Sequence, residues 1–92
     1  MSDAFGAALN ALPSGSFRGV FDGRHYVITK TLFNSGRSTK LVAEALAGGD
    51  YISLNHYQLA DGRGILKPCE MPADKVTKFV LGLRLMPQND TP

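Results

Sequence analysis

Short apolar segments separated by four turn signals organise the middle of the chain. The signals are Asp22-Gly23, Asn34-Ser35-Gly36, Gly48-Gly49-Asp50 and Asp61-Gly62-Arg63-Gly64. The segments between them are rich in Val, Ile, Leu, Thr, Tyr and Phe, and they have the length of antiparallel strands joined by tight turns. The pattern therefore predicts an antiparallel β-meander of four to five strands, with residues 65–67 as a short edge strand.

An amphipathic helix is predicted at each end of this meander. Near the N-terminus apolar residues recur at helical spacing, Ser2 is available as an N-cap, and Pro13 ends the segment. The same spacing returns over residues 72–83, where Asp74 complements the positive end of the helix dipole. The apolar stripes are Phe5, Ala8, Leu9 and Leu12 in the first helix and Val76, Phe79, Val80 and Leu83 in the second.

Residues 38–47 fit either a helix or a strand. Their content of Ala, Leu and Glu favours a helix that has Gly48 as its C-cap. Alternation along the same residues favours a strand that pairs with residues 51–59 through the Gly-Gly-Asp turn. We favour the strand, because a regular meander leaves fewer unpaired edges than a helix inserted in the sheet.

The predicted fold class is α+β, with the N-terminal and C-terminal helices packed on one face of the meander. The 92 residues leave room for one domain, assigned to residues 1–86, and residues 87–92 are predicted to be a disordered tail. Hydrophobic residues make up 43% of the chain, the net charge is +2, and no apolar run approaches the roughly 18 residues of a membrane span. A single cysteine and the lack of a secretory signal predict a cytoplasmic protein.

The strand at residues 51–59 has an apolar and a polar face. Ile52 and Leu54 point to one side, while hydroxyl and amide groups point to the other. If both helices cover the apolar side, the polar stripe lies on an open sheet face, which we interpret as a binding surface for a protein partner or a second copy of the chain. A solvated face that binds nothing fits the same pattern. The candidate binding residues are Tyr51, Ser53, Asn55 and Tyr57.

Basic side chains concentrate in residues 17–40, and Arg18, Arg24 and Lys30 are assigned as a secondary basic patch. Aromatic residues alternate with the basic ones there, as in proteins that stack the bases of single strands on a sheet. Binding of single-stranded nucleic acid through residues 17–40 is therefore one alternative function. The low overall charge and the lack of a ribonucleoprotein-type aromatic motif argue against nucleic acid as a partner. The full set is Arg18, Arg24, Lys30, Arg37 and Lys40 with Phe17, Phe21, Tyr26 and Phe33.

A second alternative is a thiol-dependent redox enzyme or sensor centred on Cys69, the candidate catalytic residue. Cys69 precedes the second helix, where the helix dipole and Lys67 favour a thiolate and Glu70 opposes it. The other interpretation is that Cys69 has a structural role, as an inert thiol buried between the last strand and that helix.

The two histidines add no recognisable metal site. His25 and His56 do not form a metal-ligand spacing with Cys69, although Cys69 and His56 could lie on neighbouring strands as a nucleophile and its base. Alternation also puts His56 on the apolar side of its strand. The glycines lie at hairpin turns, whereas a phosphate-binding loop joins a strand to a helix. Neither a metal nor a cofactor is predicted.

The residues Tyr51-Ile52-Ser53-Leu54-Asn55, followed by residues 66–72 and by Lys75-Val76, resemble small bacterial proteins in families of unknown function. The resemblance spans residues 17–83 and implies a bacterial, cytoplasmic protein with no assigned activity or site. The function that the sequence predicts best is a non-enzymatic binding or protein-interaction module that uses an open sheet face.

Overall fold

The computed structural model describes residues 4–61 and 63–86, which form an antiparallel sheet with two helices. The strand order is β5-β4-β3-β2-β1-β6, so β1 to β5 form a meander and β6 joins the outer edge of β1. The predicted α+β class is confirmed, but the sheet has six strands rather than four to five. The elements are α1 (Ala4–Ala11), β1 (Gly15–Phe21), β2 (Arg24–Phe33), a 3-10 turn (Asn34–Gly36), β3 (Ser38–Ala45), β4 (Tyr51–Gln58), β5 (Gly64–Pro68), α2 (Ala73–Gly82) and β6 (Arg84–Leu85).

The turn between β1 and β2 confirms the strongest local signal in the sequence. Asp22 and Gly23 both have positive φ, 52° and 76°, as the two central residues of a type I′ turn require. The strand at residues 38–47 is also confirmed, as β3, because its alternate residues Leu41, Ala43 and Ala45 are buried on one side of the sheet.

The sixth strand was missed because it is only two residues long. After α2 the chain returns to the sheet, and Leu85 and Arg84 pair with Gly19 and Val20 of β1. Gly19 favours this close approach, since a Cβ there would lie 2.8 Å from Leu83 Cδ1 and 3.1 Å from the Arg84 backbone oxygen. A two-residue strand has no alternation by which a sequence pattern can reveal it.

The helices differ from the prediction at their ends. Helix α1 ends at Ala11, and Leu12 packs into the core just beyond it. Helix α2 begins at Ala73, with Pro72 in the extended conformation before it, and ends at Gly82. The predicted N-cap Ser2 and the tail at residues 87–92 lie outside the described residues.

The core lies between the helices and one face of the sheet. Leu9 from α1 and Phe79 from α2 are fully buried there. The Phe79 ring contacts the rings of Tyr26 and Phe21, with centroid distances of 4.9 and 5.3 Å. The buried hydrophobic residues are Leu9, Leu12, Phe17, Tyr26, Ile28, Leu41, Ala43, Ala45, Ile52, Leu54, Val76, Phe79 and Val80.

Candidate functional site

The sheet face opposite the core, called the open face below, carries no helix among the described residues. Ile52 and Leu54 of β4 are buried in the core, so the residues that alternate with them face the other way. Tyr51 and Tyr57 are 44% and 39% exposed, and Ser53 and Asn55 are half-buried. The predicted alternation is confirmed, whereas binding by these four residues stays a prediction.

The strand register places two lysines on either side of Asn55. Lys40 of β3 pairs with Asn55, and Asn55 pairs with Lys67 of β5. Both lysines are exposed, and neither has an ion-pair partner within residues 4–61 and 63–86. We call Thr31, Lys40, Asn55 and Lys67 the basic row. Sequence reasoning missed this row, because Lys40 and Lys67 meet only through the pairing of three strands.

A second row of paired residues, which includes the rings of Phe33 and Tyr57, lies next to the basic row, two residues further along the strands. Phe33 pairs with Ser38, Ser38 with Tyr57, and Tyr57 with Ile65. Phe33 is 47% exposed, and Ile65 is also exposed. We call these four residues the aromatic row. The open face thus presents cations and aromatic rings side by side at this end of the sheet.

The predicted basic patch of Arg18, Arg24 and Lys30 does not assemble. Arg18 alternates with the buried Phe17 and therefore lies on the open face. Arg24 pairs with Phe21, whose ring packs on the core, so Arg24 lies on the helix side of the sheet. Lys30 is on the helix side too and only 4% exposed. The patch was wrong because the β1–β2 hairpin pairs odd-numbered residues of β1 with even-numbered residues of β2, so Arg18 points to the face opposite that of Arg24 and Lys30.

Lys30 instead caps the C-terminal end of α1. Its ammonium group donates hydrogen bonds to the carbonyl oxygens of Leu9 at 2.8 Å and Leu12 at 2.7 Å, with a longer one to Asn10 at 3.4 Å. Carbonyls at a helix C-terminus lack partners within the helix and carry the negative end of its dipole. Burial lowers the pKa of Lys30. Its role is structural, and it is unavailable to a ligand.

Cys69 lies on the open face and not beneath α2, so the predicted plug between strand and helix is wrong. Its backbone N–H donates to Ser53, which extends the β4–β5 pairing by one step. The Asn55 amide donates to Cys69 Sγ at 3.7 Å, and the thiol is half-buried. His56 is on the other side of β4, with its ring 5.7 Å from that of Phe5. Because Cys69 and His56 lie on opposite faces of the sheet, they cannot form a nucleophile pair.

A hydrogen-bonded network that sequence reasoning did not find joins the β3–β4 turn to α2. The Tyr26 hydroxyl donates to Asp50 Oδ2 and the Lys75 ammonium donates to Asp50 Oδ1, both at 2.7 Å. The bond from Lys75, followed by that from Tyr26, lowers the pKa of Asp50. Burial, with the Asp50 contact, raises the pKa of Tyr26 to about 12. The network ties three elements together across the edge of the core.

An open cleft of about 480 Å³ borders this network. Its walls include the carboxylates of Glu44 and Glu70 as well as Asp50 and Tyr51. Three acidic residues thus gather around the β3–β4 turn: Glu44 near the end of β3, Asp50 in the turn and Glu70 beyond β5. Along β3, Glu44 lies four residues from Lys40 of the basic row.

We expect Asp50→Asn to lower the free energy of unfolding near neutral pH by about 1–2 kcal/mol, because two hydrogen bonds to a charged group are weakened. The folded pKa of Asp50 lies below its ordinary value of 3.8, so its stabilisation is fully present above that value and is lost as the pH falls through the folded pKa. Urea unfolding between about pH 7 and about pH 2 should show the two proteins converging at acid pH.

Glu44→Gln is the control for this experiment. Glu44 is exposed and makes no side-chain hydrogen bond to the described residues, so its variant should follow the wild-type curve. A constant difference between Asp50→Asn and wild type at every pH would contradict the role given to the Asp50 carboxylate.

No helix of the described residues is long and apolar enough to cross a membrane, and these residues contain no group of three or more His, Cys, Asp or Glu side chains that could hold a metal ion. No protein-family model, no curated protein and no solved structure matches this chain.

Proposed function

We propose that this protein is a non-enzymatic binding module and that its open face is the surface that binds. The observation that supports this proposal is the one-sided packing of the sheet. Both helices contribute to the core on one face, while Phe33, Tyr51 and Tyr57 remain 39–47% exposed on the other. Exposed Tyr and Phe side chains grouped on a rigid surface are typical of binding sites.

The rigidity of the surface also supports binding. The side chains stand on β2, β3, β4 and β5, which are paired along most of their length. Groups held by such a sheet lose little conformational entropy when a partner docks. A bacterial origin, a cytoplasmic location and a protein partner or homodimer remain predictions from the sequence.

Thiol chemistry at Cys69 remains the alternative from another class of function. Partial exposure of the thiol is the observation in its favour. Among the described residues, the side chain that hydrogen-bonds to the thiol is the Asn55 amide, which cannot serve as a base, and His56 is on the other face. Slow labelling of Cys69 by a thiol reagent at neutral pH, compared with a free thiol, would count against this alternative.

We expect a Tyr51→Ala/Asn55→Ala/Tyr57→Ala variant to remain folded and to bind at least about tenfold more weakly to any partner of the open face. The partner is first trapped in cells with a photo-crosslinking amino acid at position 57, then identified and purified. Its affinity for the wild type and the variant is measured by titration calorimetry. Folding is checked by circular dichroism and urea unfolding.

The exposed side of α2 provides the control. Lys78 and Leu81 are exposed there, so Lys78→Ala/Leu81→Ala should keep the full affinity, and a crosslinker at position 78 should not trap the same partner. Identical adducts from positions 57 and 78, or none from position 57, would defeat the proposal. Unfolding of the triple variant would mean that the open-face residues belong to a core.

A further inference from the structure

The basic row has the geometry of a site for an anionic chain. Neighbouring strands are about 4.8 Å apart, so the Cα atoms of Lys40 and Lys67, two strands apart, are separated by about 10 Å. Each lysine places a flexible ammonium group above the sheet, and no carboxylate stands among the described residues of the basic or the aromatic row. Asn55 lies between the lysines, and its amide oxygen accepts no hydrogen bond from the described residues.

The aromatic row supplies flat surfaces beside those cations. Tyr57 follows Asn55 by two residues, which places it about 7 Å further along the same strand. Phe33 lies two strands from Tyr57, again about 10 Å away, with the small side chain of Ser38 between them. The two rings are therefore separate platforms, each with room for one flat ligand group, and both lie alongside the basic row.

We propose that these two rows bind single-stranded nucleic acid, with Lys40 and Lys67 on the phosphates and Tyr57 and Phe33 under the bases. The inference rests on the proposed function, since it assigns a ligand to the same open face. Single strands can splay their bases onto aromatic side chains while a basic groove follows the backbone, whereas a duplex hides the faces of its bases. The hydrogen-bonding groups of Asn55 are suited to a base edge.

This assignment differs from the one that the sequence suggested. Residues 17–40 supply Phe33 and Lys40 but do not form the site by themselves, because Arg24 and Lys30 lie on the helix side of the sheet. Lys67, Asn55 and Tyr57, which lie outside that segment, complete it. The open face as a whole is basic, with Arg18, Lys40, Lys67 and Arg84 against the single carboxylate of Glu44 on its strands.

The same charges disfavour the other occupants of such a face. A second copy docked face to face about a twofold axis through the basic row would bring lysines of like charge together, which costs free energy. An acidic peptide would satisfy Lys40 and Lys67 but would give the exposed rings of Tyr57 and Phe33 no partner of matching shape. Polyglutamate serves as the acidic peptide in the experiment that follows.

The test is fluorescence anisotropy of labelled oligothymidine and oligouridine of about 12 nucleotides, which are long enough to cover one site of this size. We expect the wild type to bind at about 50 mM salt and the affinity to fall as salt is added. Tyr57→Leu should weaken binding at least about fivefold through lost stacking. Lys40→Gln/Lys67→Gln should reduce the slope of log affinity against log salt by about 1.4.

Two matched variants show whether these effects belong to the site. Leu81→Ala removes an exposed apolar side chain and Lys78→Gln an exposed lysine, both on α2 and away from the open face. Both should bind as the wild type does. A second readout needs no substitution: because Cys69 lies beside Asn55 on the open face, bound oligonucleotide should slow the labelling of its thiol.

Four results would overturn the inference. The first is no binding at about 1 mM protein, where even non-specific sites are occupied, and the second is equal affinity for duplex and single strand. The third is an equal loss of affinity in the matched variants. The fourth is that polyglutamate binds as tightly as the oligonucleotide and that Tyr57→Leu does not weaken its binding. If these occur while a crosslinker at position 57 still traps a protein partner, the nucleic-acid assignment fails and the proposed function stands. If position 57 traps nothing either, both fail.

Discussion

Phe79→Ala should lower the free energy of unfolding by about 3–5 kcal/mol, the largest effect expected from a single substitution in this protein. The Phe79 side chain is fully buried and holds α2 against the sheet through its edge contact with Tyr26 and its tilted contact with Phe21. Its removal leaves a cavity that these two rings cannot fill, because each is held by its own strand. Urea or guanidinium unfolding measures the loss.

Phe33→Ala is the matched control, since it deletes the same ring from the open face, where Phe33 is 47% exposed. We expect a change within about 0.5 kcal/mol, as for other surface substitutions. Similar losses in both variants would mean that the open face is buried in the folded protein. A loss below about 1 kcal/mol in Phe79→Ala would mean that α2 packs through another face.

The second large effect is expected for Lys30→Met, which keeps the length of the side chain but removes its ammonium group. The buried Leu12 carbonyl oxygen would lose its lysine donor, and the Leu9 carbonyl oxygen would keep only the 3.2 Å hydrogen bond from the Leu12 N–H. We expect a loss of about 2–3 kcal/mol. Part of the charged hydrogen-bond energy is offset, because methionine avoids the desolvation of a buried ammonium. Denaturant unfolding gives the net value.

Lys40→Met provides the comparison, because Lys40 lies on the same sheet with its ammonium group in solvent. Its stability should stay within about 0.5 kcal/mol of the wild type. If Lys30→Met is as stable as the wild type, water must reach the end of α1 and satisfy its carbonyls. A helix α1 that detaches in Lys30→Met, seen as the loss of the Phe5–His56 ring contact by NMR, would agree with the capping role.

Local turn chemistry explains why the meander could be predicted from the sequence. Asp22-Gly23 requires positive φ at both residues, and the structure has it. In β4, alternation placed Ile52 and Leu54 in the core and Tyr51 and Tyr57 on the open face before any contact was known. Both patterns involve only a few neighbouring residues, so they can be recognised in the sequence.

The register of the β1–β2 hairpin explains why the candidate basic site could not be predicted in the same way. Arg18, Arg24 and Lys30 are close in sequence and basic, but Arg18 lies on one face of the sheet and the other two on the opposite face. A lysine that caps a helix 18 residues away in the chain has no local signature. Charge clustering in the sequence therefore misplaced the site.

Short-range spacing and backbone preference are enough to predict the α+β class, the hairpin turns, the amphipathic α2 and the two-sided character of β4. Four other features could be found only in the folded chain. Lys40 and Lys67 flank Asn55, Asp50 binds Tyr26 and Lys75, Cys69 faces away from the helices, and a sixth strand pairs with β1. The reason is that these contacts depend on strand register and on the return path of the chain, which are set by the packing of the whole core.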